Sequence, residues 1–379
     1  MRIAVNTRFL LKNKLDGIGW FTYETMKRIT LWHPEHEFFF LFDRDYDPEF
    51  IFSENVKPVV LRPQSRHPFL WYIWFEYSVR RFIGKNRIDL FISPDGYLSL
   101  KSLVPQVAVI HDINFHHFPK TIPPIASWYC NYFFPKFARK GIRLATVSEY
   151  SKNDIASNYN INPDKIDVVY NGANELYTPL TSKEIDETRM LLTNGSSYFV
   201  FVGAFNPRKN LIRLLQAFDL FKKRTQSDLK FVIVGDKMYD TSRMMNALKE
   251  LEFNGDVIFT GRMQVDKLRL VIGSALAMTY VSYYEGFGIP LLEAMNCDVP
   301  LVASNCTSIP EVAGGAATYV DPFNVESISE GMNLIYNDDE LRKSLILSAR
   351  REREKFSWDQ TAQSLYNCMM KSVTNNTNA

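Results

Sequence analysis

Short apolar runs alternate with longer stretches of helical spacing along most of the chain. Ile3–Val5, Phe38–Phe42, Leu90–Ile92, Val107–Ile110 and Leu144–Val147 form one series of candidate strands. A second series comprises Tyr198–Val202, Phe231–Val234, Val257–Phe259, Ala277–Val281, Leu301–Ala303 and Ala317–Val320. Such runs, bounded by Gly, Pro, Asn and Asp with helices between them, predict parallel sheets built from βαβ units. Two series predict two doubly wound α/β domains. The boundary falls near the turn Tyr177-Thr-Pro-Leu180 and the charged helical stretch after it, giving domains 1–175 and 176–357. A last helix, about 358–373, follows Phe356-Ser-Trp358 and is expected to pack away from its sequence neighbours. In open parallel sheets ligands bind at the carboxyl ends of the strands, and a two-domain version puts the site in the cleft between domains.

Composition narrows the classes. Hydrophobic residues are 46% and charged residues 23% of the chain, the balance of a globular protein rather than a disordered one. The net charge of +2 argues against a nucleic-acid coat protein and no nucleic-acid partner is expected. Cys130, Cys297, Cys306 and Cys368 are scattered and form no CxxC pair, so neither a disulfide framework nor a structural zinc site is expected. No secretory pattern precedes the first strand and no window has the apolar length of a spanning helix. The expected location is cytoplasmic, with any membrane contact peripheral at its inner face. The aromatic run with basic ends at 66–87 is the segment for such a contact. The plainer reading is a core helix with snorkelling basic ends.

Candidate chemistry follows two strands of the second series. Tyr198–Val202 runs into Gly203-Ala-Phe-Asn-Pro-Arg-Lys-Asn210, after which Leu211, Leu214, Leu215 and Phe218 share one helical face. Asn210 is the expected N-cap. Arg208 and Lys209 then project from a strand-to-helix turn, where a fork and a point charge suit a diphosphate or simply face solvent. After Ala277–Val281 comes Ser282-Tyr-Tyr-Glu-Gly-Phe-Gly-Ile-Pro-Leu-Leu-Glu293. Gly286 and Gly288 allow a close approach to a ligand, and Pro290 suits the first turn of a helix whose free N–H groups favour an anion. Glu285 before the turn could reach sugar hydroxyls, and Glu293, placed in about the first turn, could accept from a ribose. Macrodipole compensation and a solvated loop acid remain open for the two carboxylates.

Glu285 and Glu293 in this setting resemble the signature of retaining glycosyltransferase family 4, the glycosyl transferases group 1, whose GT-B fold pairs two Rossmann-like domains. Asp16-Gly-Ile-Gly19 resembles the family's glycine loop after the first strand, and His111-Asp112 its histidine after a late strand of the first domain. Asn206-Pro-Arg-Lys-Asn210 resembles the phosphate clamp, and Gly261-Arg262-Met263 the loop near the base. The resemblance implies that Arg208 and Lys209 neutralise the donor diphosphate with the N–H groups of Phe287 and Gly288. It implies that Glu293 holds the ribose, Glu285 the transferred sugar, and that Gly203, Gly261, Arg262, Met263 and Gly286 line the donor. His111 would contact the reacting centre, while Gly17 and Gly19 would let the first loop close over the phosphates. It also implies that the last helix crosses back onto the N-terminal domain.

No metal and no cofactor are expected, because the cations and the helix start would stabilise the leaving diphosphate. Asp43-Arg-Asp45 superficially resembles a metal-binding Asp-x-Asp but is read as a surface loop. His116 and His117 are read as packing residues beside Phe115 and Phe118. The partners are a nucleotide-sugar donor, with GDP-mannose first and UDP-sugars next, and a glycan or lipid-linked sugar acceptor of cell-surface polysaccharide such as lipopolysaccharide. An epimerase of the same fold and a catalytically silent nucleotide-sugar-binding protein are the alternatives. A dinucleotide oxidoreductase is disfavoured, since Gly17-Ile-Gly19 stands well beyond Val5.

Overall fold

The run Glu37-Phe-Phe-Phe-Leu-Phe42 is apolar on both faces, and both faces are covered. That is the condition of a strand inside a parallel sheet with helices on either side. A computed structural model describes residues 1–236 and 241–377. The chain divides into two compact units, Met1–Asn171 with the segment from Ser357 onward, and Gly172–Phe356.

The first unit holds seven parallel strands: β1 (Arg2–Asn6), β2 (Glu37–Phe42), β3 (Val56–Val60), β4 (Leu90–Ser93), β5 (Gln106–Val109), β6 (Arg143–Thr146) and β7 (Ile166–Val168). Their order is β3-β2-β1-β4-β5-β6-β7, so the winding reverses between β1 and β4, where Ile3 pairs with Leu90. The edge strands β3 and β7 were not foreseen. β3 carries Pro58, which lacks a ladder donor and is tolerated at an edge, and β7 has only 3 residues. The final helix, Trp358–Thr377, packs on this unit. Arg28 Nε donates to Asp359 at 2.6 Å, Thr361 Oγ1 donates to the Tyr170 carbonyl at 2.6 Å, and Tyr366 stacks on His33.

Among its described residues the second unit holds six parallel strands: β8 (Tyr198–Val202), β9 (Lys230–Val234), β10 (Val257–Gly261), β11 (Ala277–Tyr280), β12 (Leu301–Ser304) and β13 (Ala317–Val320). The order β10-β9-β8-β11-β12-β13 places the reversal between β8 and β11. The helix Leu211–Thr225 buries Leu211, Leu214, Leu215, Phe218 and Phe221 against this sheet, the stripe its spacing predicts. Lys222, Lys223 and Arg224 in its last turn complement the macrodipole.

Four local expectations are corrected. Asn210 occupies the N-cap position in the left-handed region, with φ 63°, but its side chain does not cap the helix. Its amide instead donates to the carbonyls of Val281 at 3.0 Å and Pro322 at 2.7 Å, tying the basic turn to its neighbours. Gly17 and Gly19 belong to no loop: they form the first turn of the helix Gly17–Trp32, where Asp16 accepts from Gly19 N. Asp43 is fully buried rather than a surface residue, because Arg44 and the Ser65 N–H and hydroxyl supply its carboxylate with donors. His116 and His117 are exposed and pair with Asn131 and Asp154, while Phe115 alone of that group is buried.

Candidate active site

The basic turn and the glycine turn leave neighbouring strands, β8 and β11, at the winding reversal of the second sheet. This is where an open α/β sheet opens a crevice at its carboxyl edge. Asn206 accepts from Arg208 N at 3.0 Å and starts a single 3-10 turn, Pro207–Lys209, that aims both cations along the sheet edge. Arg208 Nη1 lies 2.8 Å from Glu285 Oε2, and Lys209 Nζ lies 2.6 Å from Glu285 Oε1. All three side chains are largely buried, so the cluster is two cations on one carboxylate in a low-dielectric setting. Burial works to raise the Glu285 carboxyl, but the Arg208 and Lys209 charges overcome it and hold the group at about 2.

Backbone bonds lock the two turns together. Tyr283 N donates to the Arg208 carbonyl at 2.9 Å, and Arg208 Nη1 donates to the Tyr284 carbonyl at 2.8 Å. From the segment after β12, the Thr307 hydroxyl accepts from Glu285 N and the Ser308 hydroxyl donates to the carbonyls of Glu285 and Phe287. Lys209 Nζ also donates to the buried Tyr280 hydroxyl at 2.6 Å. Tyr280, Thr307 and Ser308 carry no signal in one sequence, since Tyr280 reads as one more apolar strand residue.

Gly288 adopts the left-handed region, with φ 98°, immediately before the helix Ile289–Asn296, and Pro290 lies in the first turn as expected. Glu293 sits in the second turn rather than the first. It is partly buried, and burial pushes its carboxyl up to about 7, although the buried Tyr177 hydroxyl favours the ionised form. A carboxyl raised in the folded state from its ordinary 4.5 stabilises the fold in its neutral form. That contribution is complete below about pH 4.5 and is lost as pH rises through about 7. Glu293→Gln is therefore expected to melt higher than the parent at pH 8, by on the order of 1–3 kcal/mol in stability. The difference should shrink towards pH 4.5, and a pH-independent difference in thermal melts would contradict the assignment.

Gly203 and Gly261 lie at the carboxyl ends of β8 and β10 and are linked through Gly235, whose N–H donates to the Gly261 carbonyl at 3.1 Å. Gly235 has φ 153°, and a Cβ there would meet the Gly203 carbonyl oxygen at 1.9 Å. Only glycine lets these backbones approach so closely. Arg262 is exposed and Met263 partly exposed just beyond β10. Gly286 and Phe287 complete the turn.

The first unit has its own polar cluster at its winding reversal. Arg8 Nε meets Asp95 Oδ2 at 2.5 Å, and Asn6 Nδ2 donates to Asp95 Oδ1 at 2.8 Å, all buried. His111 follows β5, donates from Nε2 to the Pro94 carbonyl at 2.8 Å, and packs edge-on to Phe21. Since the carbonyl can only accept, Nδ1 is left as the imidazole's acceptor. Burial lowers its pKa, with the Pro94 carbonyl and Asp112 acting the other way.

Two doubly wound parallel-sheet units, one with a cation–carboxylate cluster at its winding reversal, define the GT-B class of fold. The model described as Glycosyltransferase Family 4 matches residues 16–175, and that described as Glycosyl transferases group 1 matches residues 182–352. The chain belongs to this glycosyltransferase family. It is 28% identical over 273 residues to O-antigen chain mannosyltransferase B of Escherichia coli, covering 71% of each chain. It is 26% identical over 273 residues to O-antigen chain mannosyltransferase RfbU of Salmonella typhimurium, covering 72% of each. The crystal structure of Anabaena Alr3699/HepE in complex with UDP-glucose superposes with a TM-score of 0.75 at 15% identity, over 98% of this chain and 100% of that one. Among the described residues no helix is long and apolar enough to cross a membrane.

Proposed function

We propose that this glycosyltransferase is a retaining enzyme that transfers mannose from GDP-mannose to a lipid-linked glycan in the synthesis of cell-surface polysaccharide. The observation that carries the reading is the buried cluster of Arg208, Lys209 and Glu285 beside a glycine-flanked helix start. In the reaction the bond from the sugar's anomeric carbon to the diphosphate breaks, and its electron pair leaves on the diphosphate oxygen. The acceptor hydroxyl oxygen bonds that carbon from the same face, and its proton passes to the departing oxygen.

Arg208 and Lys209 neutralise the charge that develops there, with the N–H groups of Phe287 and Gly288, and no divalent metal is needed. Glu285 fixes both cations and faces the sugar, Glu293 accepts from the ribose, and Gly203 with Gly261–Met263 borders the base. The role given to His111 belongs to the same proposal, whereas Gly17 and Gly19, in the first turn of a helix, are assigned to binding the donor and not to closing a loop. Mannose as the sugar is supported by the similarity to O-antigen chain mannosyltransferases, and a cell-surface glycan as the acceptor by the O-antigen chains those relatives are named for.

A thermal-shift series against GDP, UDP, ADP and their sugars tests this, because a ligand of the folded state raises the melting temperature. GDP and GDP-mannose are expected to give the largest shift, and nucleoside diphosphate is expected to be released only when acceptor is added. A larger shift with UDP-sugars reassigns the donor. Isomerised sugar without acceptor indicates an epimerase, and a shift without turnover a silent binding protein.

A further inference from the structure

The segment 66–87 divides between core and surface. Three helical stretches, Pro68–Ile73, Trp74–Val79 and Arg80–Lys85, follow one another, the middle one with π-type bonding. Trp74 and Phe75 are fully buried, and Trp71 and Trp74 donate their indole N–H groups to the carbonyls of Ser65 and Leu61. Phe69 and Tyr77, in contrast, are 68% and 60% exposed.

The helix Pro124–Lys140 packs beside this segment and turns a second apolar stripe outward. Ile125, Trp128 and Tyr132, spaced by three and four residues, are 57%, 61% and 49% exposed. The rings form a continuous chain across both helices. Trp128 stacks on Tyr132 at 5.5 Å, Tyr132 meets Phe133 at 4.9 Å, Phe133 meets Tyr72 at 5.8 Å, and Tyr72 meets Tyr77 at 6.4 Å. Among the described residues the Trp128 indole N–H has no hydrogen-bond partner. Phe133 and Tyr72, which join the exposed rings, are partly buried against the core. The exposed apolar surface is therefore Ile125, Trp128 and Tyr132 on one helix and Phe69 and Tyr77 on the other segment, more than the single exposed aromatic that needs no explanation.

Charge decides between covers for this row. Between Arg66 and Arg87 the only acid is Glu76, which is buried and accepts from Ser99 and from the N–H groups of Leu100 and Lys101. Between Pro119 and Arg143 there is no acid at all. Lys136 Nζ lies 3.4 Å from the Tyr132 ring centroid, and Lys140, Arg80, Arg81 and Lys85 flank the aromatics along the two segments. In a chain with a net charge of only +2, the two segments that carry the exposed aromatics thus hold several cations and no exposed acid. Aromatic rings with a polar edge partition to the headgroup level, and lysine and arginine add attraction to anionic lipid.

We propose that the paired surface of helix 124–140 and segment 68–85 docks on an anionic membrane, with Trp128 and Tyr132 inserted among the headgroups. Docking would bring the enzyme to a lipid-borne acceptor, so the inference extends the proposed function. The surface itself is read from this unit alone. It also moves the expected contact: the centre lies on Trp128 and Tyr132, outside 66–87.

Co-sedimentation of the full chain with phosphatidylcholine vesicles, with and without phosphatidylglycerol, tests it. Anionic vesicles are expected to bind ~10-fold or more better than neutral ones, with the advantage falling at high salt. The double variant Trp128→Ala/Tyr132→Ala, altered only at exposed positions, should lose ~10-fold of that binding and keep its nucleotide-induced thermal shift. Equal vesicle binding by parent and variant overturns the proposal. So does a parent that is dimeric by light scattering and a variant that is monomeric, which would make the face a self-interface. Lost transfer to a lipid-free acceptor would make it a glycan platform instead. Vesicle binding without any nucleotide shift would leave the docking surface standing and remove the donor assignment.

Discussion

Replacing Arg208 and Lys209 together by alanine is expected to lower kcat/KM for sugar transfer by ~10³–10⁴-fold. Each side chain is aimed at the same crevice from one short turn, and each is held at its far end by Glu285. A positioned donor to developing oxyanion charge contributes ~10²–10³-fold, and two acting on one diphosphate share part of that effect. In logarithmic terms the double variant should therefore lose less than the sum of the two single losses. Steady-state kinetics with saturating acceptor checks this, and a double variant within ~10-fold of the parent would remove the phosphate clamp from the mechanism. Melting curves of the same variants should show folded protein of lowered stability, because Glu285 loses its counter-charges while both turns remain tied through Asn210 and the Tyr283 N–H.

Glu285→Gln should act on stability and on rate. The parent carboxylate, held at about 2 against an ordinary 4.5, contributes to folding in its ionised form. That contribution is present above about pH 4.5 and is lost as pH falls through about 2. At neutral pH the glutamine variant leaves two buried cations without their counter-charge, a change that costs about 3–5 kcal/mol when one partner of a buried pair is removed. Denaturant melts at pH 7 should show this loss, and the gap to the parent should narrow as pH is lowered from about 4.5. A diphosphate would replace the missing negative charge, so added nucleotide should restore much of the variant's stability. Transfer by Glu285→Gln should fall ~10²-fold or more, since the cations lose their common anchor. Equal stability at pH 7 in the absence of nucleotide would contradict the cluster's electrostatics.

Much of the architecture can be read from the chain because parallel strands are apolar on both faces and stand out as runs. Phe38–Phe42 and Tyr198–Val202 are found this way, and both have a strand on either side. The two strands that escape notice lie at the edges, where half of the environment is missing and Pro58 is allowed. At the site, the residue types that carry charge and the glycines that bend the chain were visible, since few other positions call for them. What each side chain would hold was less so. Asn210 stands where a cap belongs, yet its left-handed backbone turns the amide towards Val281 and Pro322. Asp43 looks like a loop acid until Ser65, distant in sequence, folds back to donate to it. Tyr280 acts on Lys209 through its hydroxyl, and one sequence does not distinguish such a tyrosine from a packing ring.

The helix Trp358–Thr377 belongs to the unit that begins at Met1, while Gly172–Phe356 lies between the two parts of that unit in sequence. The second unit is thus inserted into the first. During translation the inserted unit has its whole sequence clear of the ribosome before the outer one does. The sheet from β1 to β7 must wait, uncovered on one side, for the helix residues that partner Leu144, Tyr170 and Asp167. Until then the surface of β4, β5 and β6 that this helix covers is open to non-native association, and the interval in which a chaperone has something to hold is written into the order of the chain.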